Sequence, residues 1–250
     1  MKRGHSKMVQ QLGLVAVLVL VASGCPSRPD ATTDPQNETP EAQQQRALER
    51  VQTTLDRDGR FLHEMQTNGT YPMFQQKFGR PFTGAGVLEW VSERVARVIY
   101  TDRPLTSGGP EAIAANVSSE GPEYRKNFLI GPSFFDESRF PQIARVSIFL
   151  HEARHSDGFD DMATENDSMP HERCPADFEA ERMRGQYACD KNLDGSYAYQ
   201  ALFLREVMMH CSNCSRTVKR VAGEMFVDSL LRHYRAEDRM ALMADLPRAP

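Results

Sequence analysis

Several features that would assign a protein class directly are missing from this 250-residue sequence. The net charge is −4 at pH 7 and no stripe of basic residues runs along the chain, so nucleic acid is not expected as a partner. No internal repeat is present. The apolar run from Leu12 to Ala22 is too short to cross a bilayer as a helix. These absences leave an acidic globular protein, and the features that are present then narrow the possibilities.

The first 24 residues have the pattern of a bacterial export signal. Three basic residues precede the apolar run: Lys2, Arg3 and Lys7. The run ends in Ala22-Ser23-Gly24-Cys25, which resembles the lipobox of bacterial lipoproteins, with Ala22 where leucine is usual. The resemblance implies cleavage before Cys25 and lipid, such as palmitate, on its sulfur. We therefore expect a signal peptide over 1–24 and a cell-envelope protein anchored through Cys25 to the inner or the outer membrane.

The segment 25–45 is predicted to be a disordered tether. It is rich in proline, threonine and glutamine and offers almost nothing apolar to bury. Residues 46–245 have the length of one ordinary domain, and we expect a monomer.

The remaining four cysteines form an even set in a chain predicted to be exported. An oxidising compartment favours disulfides, and four cysteines allow three pairings. We favour Cys174–Cys189 together with Cys211–Cys214. A second Cys-x-x-Cys, which a zinc cluster would need, is absent.

Apolar spacing predicts an α+β fold that is mostly helical. One helix is expected over 44–65, and another stripe at helical spacing runs from Val87 to Ile99, with Trp90 in the core. The segment 128–135 is predicted to be a strand at a sheet edge. A buried helix is then expected to start near Pro141 and to stop at Gly158. The predicted result is a small sheet packed on that helix.

The most informative motif lies late in this helix, at His151-Glu152-Ala153-Arg154-His155. Residues four apart project from the same face of a helix, so both imidazoles can reach one Zn²⁺ ion. Glu152 is then close enough to exchange a proton with water at the metal. Arg154 and Asp157 are three residues apart and are predicted to form an ion pair; alternatively, Asp157 orients a ligand histidine.

A strand followed by a helix with His-Glu-x-x-His resembles the zincin metallopeptidases, over about residues 126–160. The resemblance implies that His151 and His155 bind zinc and that Glu152 is the general base that activates a zinc-bound water. It also implies a peptide or protein substrate.

A catalytic zinc needs a third protein ligand, and the sequence leaves the choice open. His171 is favoured, because imidazole binds zinc better than carboxylate does and a disulfide at Cys174 would hold its loop. Asp161 would match the aspartate variant of the longer metzincin pattern, with Met169-Pro170 near the position of a methionine turn. Glu179 or Glu181 would match the glutamate zincins.

The segment 190–195 contains oxygen-bearing side chains at alternate positions, as in the first half of a calcium-binding EF-hand loop: Asp190, Asn192 and Asp194. Position twelve is Ala201, where a glutamate ligand is expected, so a turn with Asp194 as the N-cap of a helix from Tyr197 is the competing interpretation. His210 and His233 are interpreted as non-catalytic.

Together these features favour a lipid-anchored, exported zinc metallohydrolase, most simply a peptidase. The alternative is a non-catalytic envelope lipoprotein, in which a structural metal site and disulfides support a binding module.

Overall fold

Helices dominate the part of the chain that the computed structural model describes, which is residues 39–95, 97–101, 114–117, 127–159, 171–244 and 246. The α-helices are α1 (Pro40–His63), α2 (Pro72–Phe78), α3 (Gly84–Ser92), α4 (Gln142–His155), α5 (Ser196–His210), α6 (Arg216–Leu230) and α7 (Ala236–Met243). The strands are β1 (Arg97–Tyr100), β2 (Ala114–Val117), β3 (Asn127–Ile130), β4 (Glu172–Arg173) and β5 (Tyr187–Cys189). The predicted class, α+β with mostly helices, is confirmed. The signal segment 1–24, Cys25, Asp161 and Met169-Pro170 lie outside the described residues.

Helix α1 begins earlier than the sequence predicted, at Pro40 instead of residue 44, and therefore inside the segment assigned to the tether. The Thr39 side chain accepts a hydrogen bond from the backbone N–H of Ala42, and Pro40 stands in the first turn. Proline suits that position because its missing N–H would have no helical partner there. These local signals extend the helix although its first turns are polar. No helix among the described residues has both the length and the apolar character needed to cross a membrane.

The stripe from Val87 to Ile99 is not one helix, and that prediction was wrong. Helix α3 ends at Ser92, and Val98 and Ile99 lie in β1. A short apolar run fits both helical and extended periods, and here parallel pairing with β3 determines the outcome. Trp90 is 2% exposed and belongs to the core, as predicted.

The predicted strand over 128–135 is shorter and more central than expected. Strand β3 ends at Ile130, and Pro132–Phe135 forms a 3-10 helix. Pro132 has no N–H to donate to a neighbouring strand, which favours the end of the ladder there. Within its sheet, β3 lies between β1, which is parallel, and β2, which is antiparallel.

Helix α4 packs between this sheet and the helical core. On one side, Phe149 contacts Phe128 of β3 at 4.6 Å between ring centroids, and Ile148 belongs to the same cluster. On the other side, Leu150 belongs to the main cluster, which also contains Leu202 of α5. Apolar contacts on both sides hold α4 rigidly, and this helix carries the His-Glu-x-x-His motif.

A buried carboxyl in α5 makes stability depend on pH. Glu206 is fully buried, and its Oε1 atom accepts a hydrogen bond from the backbone N–H of Tyr71 at 2.8 Å. Burial raises the pKa of Glu206 from its ordinary value of 4.5 to about 7. The folded state therefore keeps this proton more firmly than the unfolded state does.

We expect Glu206→Gln to remove this pH dependence. In the wild type, the stability contributed by the protonated carboxyl is complete below about pH 4.5 and is lost as the pH rises through about 7. The shift corresponds to at most about 3 kcal/mol, because one pKa unit equals about 1.4 kcal/mol. Urea unfolding at pH 5 and pH 8 measures it, and equal changes in wild type and E206Q would contradict the prediction.

Candidate metal centre

Helix α4 presents two histidines on one buried face. His151 and His155 are 6% and 9% exposed, and their Nε2 atoms are 3.3 Å apart. One helical turn separates the two residues, so their rings point to the same side. Glu152 follows His151 and is 8% exposed. The helix thus brings two imidazoles and a carboxylate into a site shielded from water.

A third histidine comes from the hairpin formed by β4 and β5. His171 directly precedes β4, and its Nε2 atom is 3.1 Å from Nε2 of His151. One ligand atom from each of the three histidines lies within 4.8 Å of the other two, and the group could hold a metal ion. The structure therefore brings together the three residues that the sequence favoured.

The spacing of the three rings agrees with metal ligation. Zinc–nitrogen bonds are about 2.0–2.1 Å long, so two nitrogens of a tetrahedral site lie roughly 3.3–3.4 Å apart. The two nitrogen separations given above, 3.1 and 3.3 Å, are close to this value. Imidazole also suits copper, iron and nickel, so the ligand type alone does not select zinc.

Asp190 fixes the orientation of His171. The Oδ1 atom of Asp190 lies 3.3 Å from Nδ1 of His171. A donor at Nδ1 leaves the lone pair on Nε2 for a metal, which is the usual arrangement of a ligand histidine and a carboxylate. The Oδ2 atom accepts hydrogen bonds from the backbone N–H groups of Tyr197 and Ala198, at 2.7 and 3.3 Å. Asp190 thus joins a candidate ligand to the start of α5.

Burial keeps His151 in the neutral form that can bind a metal. Desolvation, followed by the neighbouring His155 and His171, lowers the pKa of His151 well below its ordinary value of 6.5. A neutral imidazole has a lone pair to offer, whereas an imidazolium has none.

Tyr197 lies against the histidines. Its ring stacks on His171 at 4.7 Å between centroids and meets His151 edge-on at 4.4 Å. The hydroxyl oxygen accepts a hydrogen bond from Nη1 of Arg232 at 3.2 Å. Burial, and to a lesser extent the charges of Asp190 and Glu152, raises the pKa of Tyr197 to about 12, while Arg232 opposes the shift. The hydroxyl therefore keeps its proton at neutral pH.

The predicted pair of Arg154 and Asp157 is present. Nη1 of Arg154 is 2.6 Å from Oδ2 of Asp157, and Arg94 lies at the same distance from Oδ1. The Arg154 guanidinium also lies 4.4 Å from the centre of the Tyr199 ring. These contacts tie the end of α4 to α3 and α5. Both oxygens of Asp157 thus pair with arginines. The contact between a carboxylate and the candidate ligand His171 is made by Asp190.

The glutamate alternatives for the third ligand do not reach the histidines. Glu179 pairs with Arg239, and Glu181, which is 83% exposed, lies 3.6 Å from Arg184. Neither belongs to the group of three, and Asp161 lies outside the described residues.

The loop at 190–194 forms a turn instead of gathering its oxygens around a cation. Asn192 accepts a hydrogen bond from the backbone N–H of Asp194, whose side chain pairs with Lys77. Asp190 and not Asp194 caps α5, so that detail of the prediction was wrong. The reason is that the chain folds Asp190 back beneath the first turn of the helix, a contact that spacing does not reveal.

Both predicted disulfides are present. Cys174–Cys189 joins β4 to β5, close to His171 and directly before Asp190. Cys211–Cys214 lies between α5 and α6. It lies at the far end of α5 from Tyr197, roughly 20 Å along the helix axis. The first bridge therefore supports the candidate metal centre, and the second supports the helical core.

We expect Cys174→Ala/Cys189→Ala to lower both stability and metal affinity. Opening a loop of 15 residues costs about 3 kcal/mol in the chain-entropy model, and β4 then holds His171 less firmly. Urea unfolding and metal titration measure the two effects. Cys211→Ala/Cys214→Ala is the matched control and should leave metal affinity unchanged. An equal loss of metal affinity in both double variants would contradict the prediction.

The sequence did not assign Tyr197, Arg232 or Asp190 to the centre. Tyr197 was expected only as the start of a helix, and Arg232 carries no motif. One signal was available, because Asp190 directly follows a disulfide cysteine and precedes a helix start. A carboxylate at that position lies near the segment that the disulfide anchors, which contains His171.

No family model, curated protein or solved structure matches this chain. The resemblance to zincins therefore rests on the motif and on its place in a helix that follows a strand. Functional conclusions depend on the chemistry of the centre.

Proposed function

We propose that this protein is a zinc metallohydrolase, most simply a peptidase, held in the cell envelope by lipid on Cys25. The observation that carries the proposal is the convergence of the His151, His155 and His171 Nε2 atoms at a helix whose next residue after His151 is the buried Glu152. The N-terminal part of the proposal depends only on the signal pattern of residues 1–25.

The ligand set favours a catalytic over a structural metal. Structural zinc sites have four protein ligands, whereas catalytic sites have three and leave a position for water. Within the described residues the group contains three. When bound, zinc lowers the pKa of a coordinated water to about 7 and polarises a carbonyl.

Glu152 acts as the general base and then as the general acid. Its carboxylate takes a proton from the attacking water and later delivers it to the departing amine. Its neighbour His151 in α4 binds the metal, so a rigid helix determines the separation of base and metal. This arrangement favours amide hydrolysis, in which the leaving amine must be protonated.

Tyr197 supplies a hydrogen-bond donor for the substrate. Arg232 donates to the hydroxyl oxygen, so the hydroxyl hydrogen is free to point elsewhere. Because the raised pKa keeps this hydrogen in place, Tyr197 can donate a hydrogen bond to negative charge that develops on a substrate carbonyl. A peptide or protein is the substrate class that we infer.

A second candidate is a binding module with a non-catalytic metal, and the burial of the centre favours it. Both α4 histidines are less than a tenth exposed, and Tyr197 covers two of the three rings. A centre closed in this way stabilises a fold without admitting a substrate.

Metal removal and restoration distinguish the two. The purified full-length chain should bind one zinc ion, hydrolyse a dye-quenched denatured protein, lose activity to a chelator and regain it with zinc. One bound zinc without hydrolysis of any peptide in a diverse library would favour the binding module. No bound metal would overturn both.

A further inference from the structure

We propose that Gly195 is a positioning residue of the metal centre, because it leaves the space in which Asp190 orients His171. The inference rests on the metal-binding part of the proposed function and is independent of hydrolysis. It concerns a residue that is neither a ligand nor a proton donor.

The backbone of Gly195 lies very close to the side chain of Asp190. A Cβ atom built on Gly195 would lie 2.1 Å from Cγ, 2.2 Å from Oδ2 and 2.7 Å from Cβ of Asp190. Non-bonded carbon atoms attract each other at about 3.5–4.0 Å. They repel each other strongly at the distances of 2.1–2.7 Å found here. Any side chain at position 195 would therefore displace the Asp190 carboxylate.

The backbone of Gly195 does not itself require glycine. Its φ is −71° and its ψ is 166°, an extended conformation open to every L-amino acid. The usual reason for glycine in a turn, a positive φ, does not apply. Space for the carboxylate is the remaining reason.

Asp190 cannot give way without losing contacts. Asp190 is 4% exposed. Its Oδ1 atom contacts His171, and its Oδ2 atom accepts hydrogen bonds from the backbone N–H groups of Tyr197 and Ala198. A displaced carboxylate releases the ring of His171 or the first turn of α5. Either change loosens the candidate ligand or the tyrosine stacked on it.

A side chain at position 195 is therefore expected to lower metal affinity, because it displaces the Asp190 carboxylate that orients His171. Removing the hydrogen-bonding partner of a metal-bound histidine typically lowers affinity about 10- to 100-fold. We expect Gly195→Ala to lower zinc affinity within this range. Asp190→Gly should do the same, because both changes remove the contact between the Asp190 carboxylate and His171.

A double-mutant cycle tests the inference on the full-length chain. Zinc dissociation constants are measured by competition with a chromophoric chelator for wild type, G195A, D190G and D190G/G195A. In the D190G background the methyl group at 195 meets neither the carboxylate nor the Cβ atom of residue 190, so G195A should change affinity less than about threefold. Gly59→Ala is the matched control, since its Cβ would meet nothing within 4 Å, and it should bind zinc like wild type.

The outcomes separate this inference from the proposed function. Equal zinc affinity in wild type and G195A would overturn the role of Gly195 and leave the metal site intact, whereas no zinc binding by wild type would overturn both. If G195A does not fold, D190G and D190G/G195A still decide, because a difference of tenfold or more between them would mean that Gly195 acts by another route.

Discussion

Replacing Glu152 by glutamine should lower hydrolysis by about 10²- to 10⁴-fold while leaving zinc bound. Glutamine has nearly the same shape and still accepts a hydrogen bond, but it cannot take a proton from water. The three histidines are unchanged, so the zinc dissociation constant should stay within a few-fold of wild type. Initial rates on a quenched denatured protein and a parallel zinc titration measure the two quantities.

Glu224→Gln provides the control for this change. Glu224 lies on the exposed surface of α6 and pairs with Arg220, so the same chemical change there should affect neither rate nor metal. If E152Q retains wild-type activity, Glu152 is not the general base. If it loses zinc as well as activity, Glu152 supports the metal site instead of transferring a proton.

Arg145→Met should destabilise the fold by about 3–5 kcal/mol, because it removes the buried arginine that pairs with both oxygens of a buried carboxylate. Arg145 is fully buried in α4, and its guanidinium contacts both oxygens of Asp58 in α1, at 2.6 and 2.7 Å. Asp58 is 3% exposed, so water cannot replace the lost pair. Urea unfolding at pH 7 measures the loss.

Two further variants test whether the loss comes from leaving one buried charge of the Asp58–Arg145 pair without the other. Replacing both partners, as in Asp58→Leu/Arg145→Met, should recover most of the loss, since an apolar pair of similar volume leaves no stranded charge. Arg220→Met removes an exposed pair and should cost less than about 1 kcal/mol. A loss in R145M no larger than in R220M would contradict the prediction.

The two elements that the sequence predicted least well are instructive. Val98 and Ile99 fitted a helical stripe, yet they pair with β3 as a strand, because a few β-branched residues are compatible with either period until a partner strand is present. The N-cap of α5 was expected at Asp194, whereas the N-cap residue is Gly195 and the Asp190 side chain accepts the hydrogen bond from the backbone N–H of Tyr197. In both cases a contact between separate segments determines the local conformation.

Relations between residues that are close together along the chain could be predicted without a structure. The spacing of His151 and His155 places both rings on one helical face, and the separation of Arg154 from Asp157 allows their ion pair, because helix geometry alone relates residues three or four apart. The choice of His171 was favoured by chemistry and left open. Only the tertiary structure brings His171, Asp190 and Tyr197 against α4, because a disulfide, a helix cap and a ring stack between distant segments hold them there.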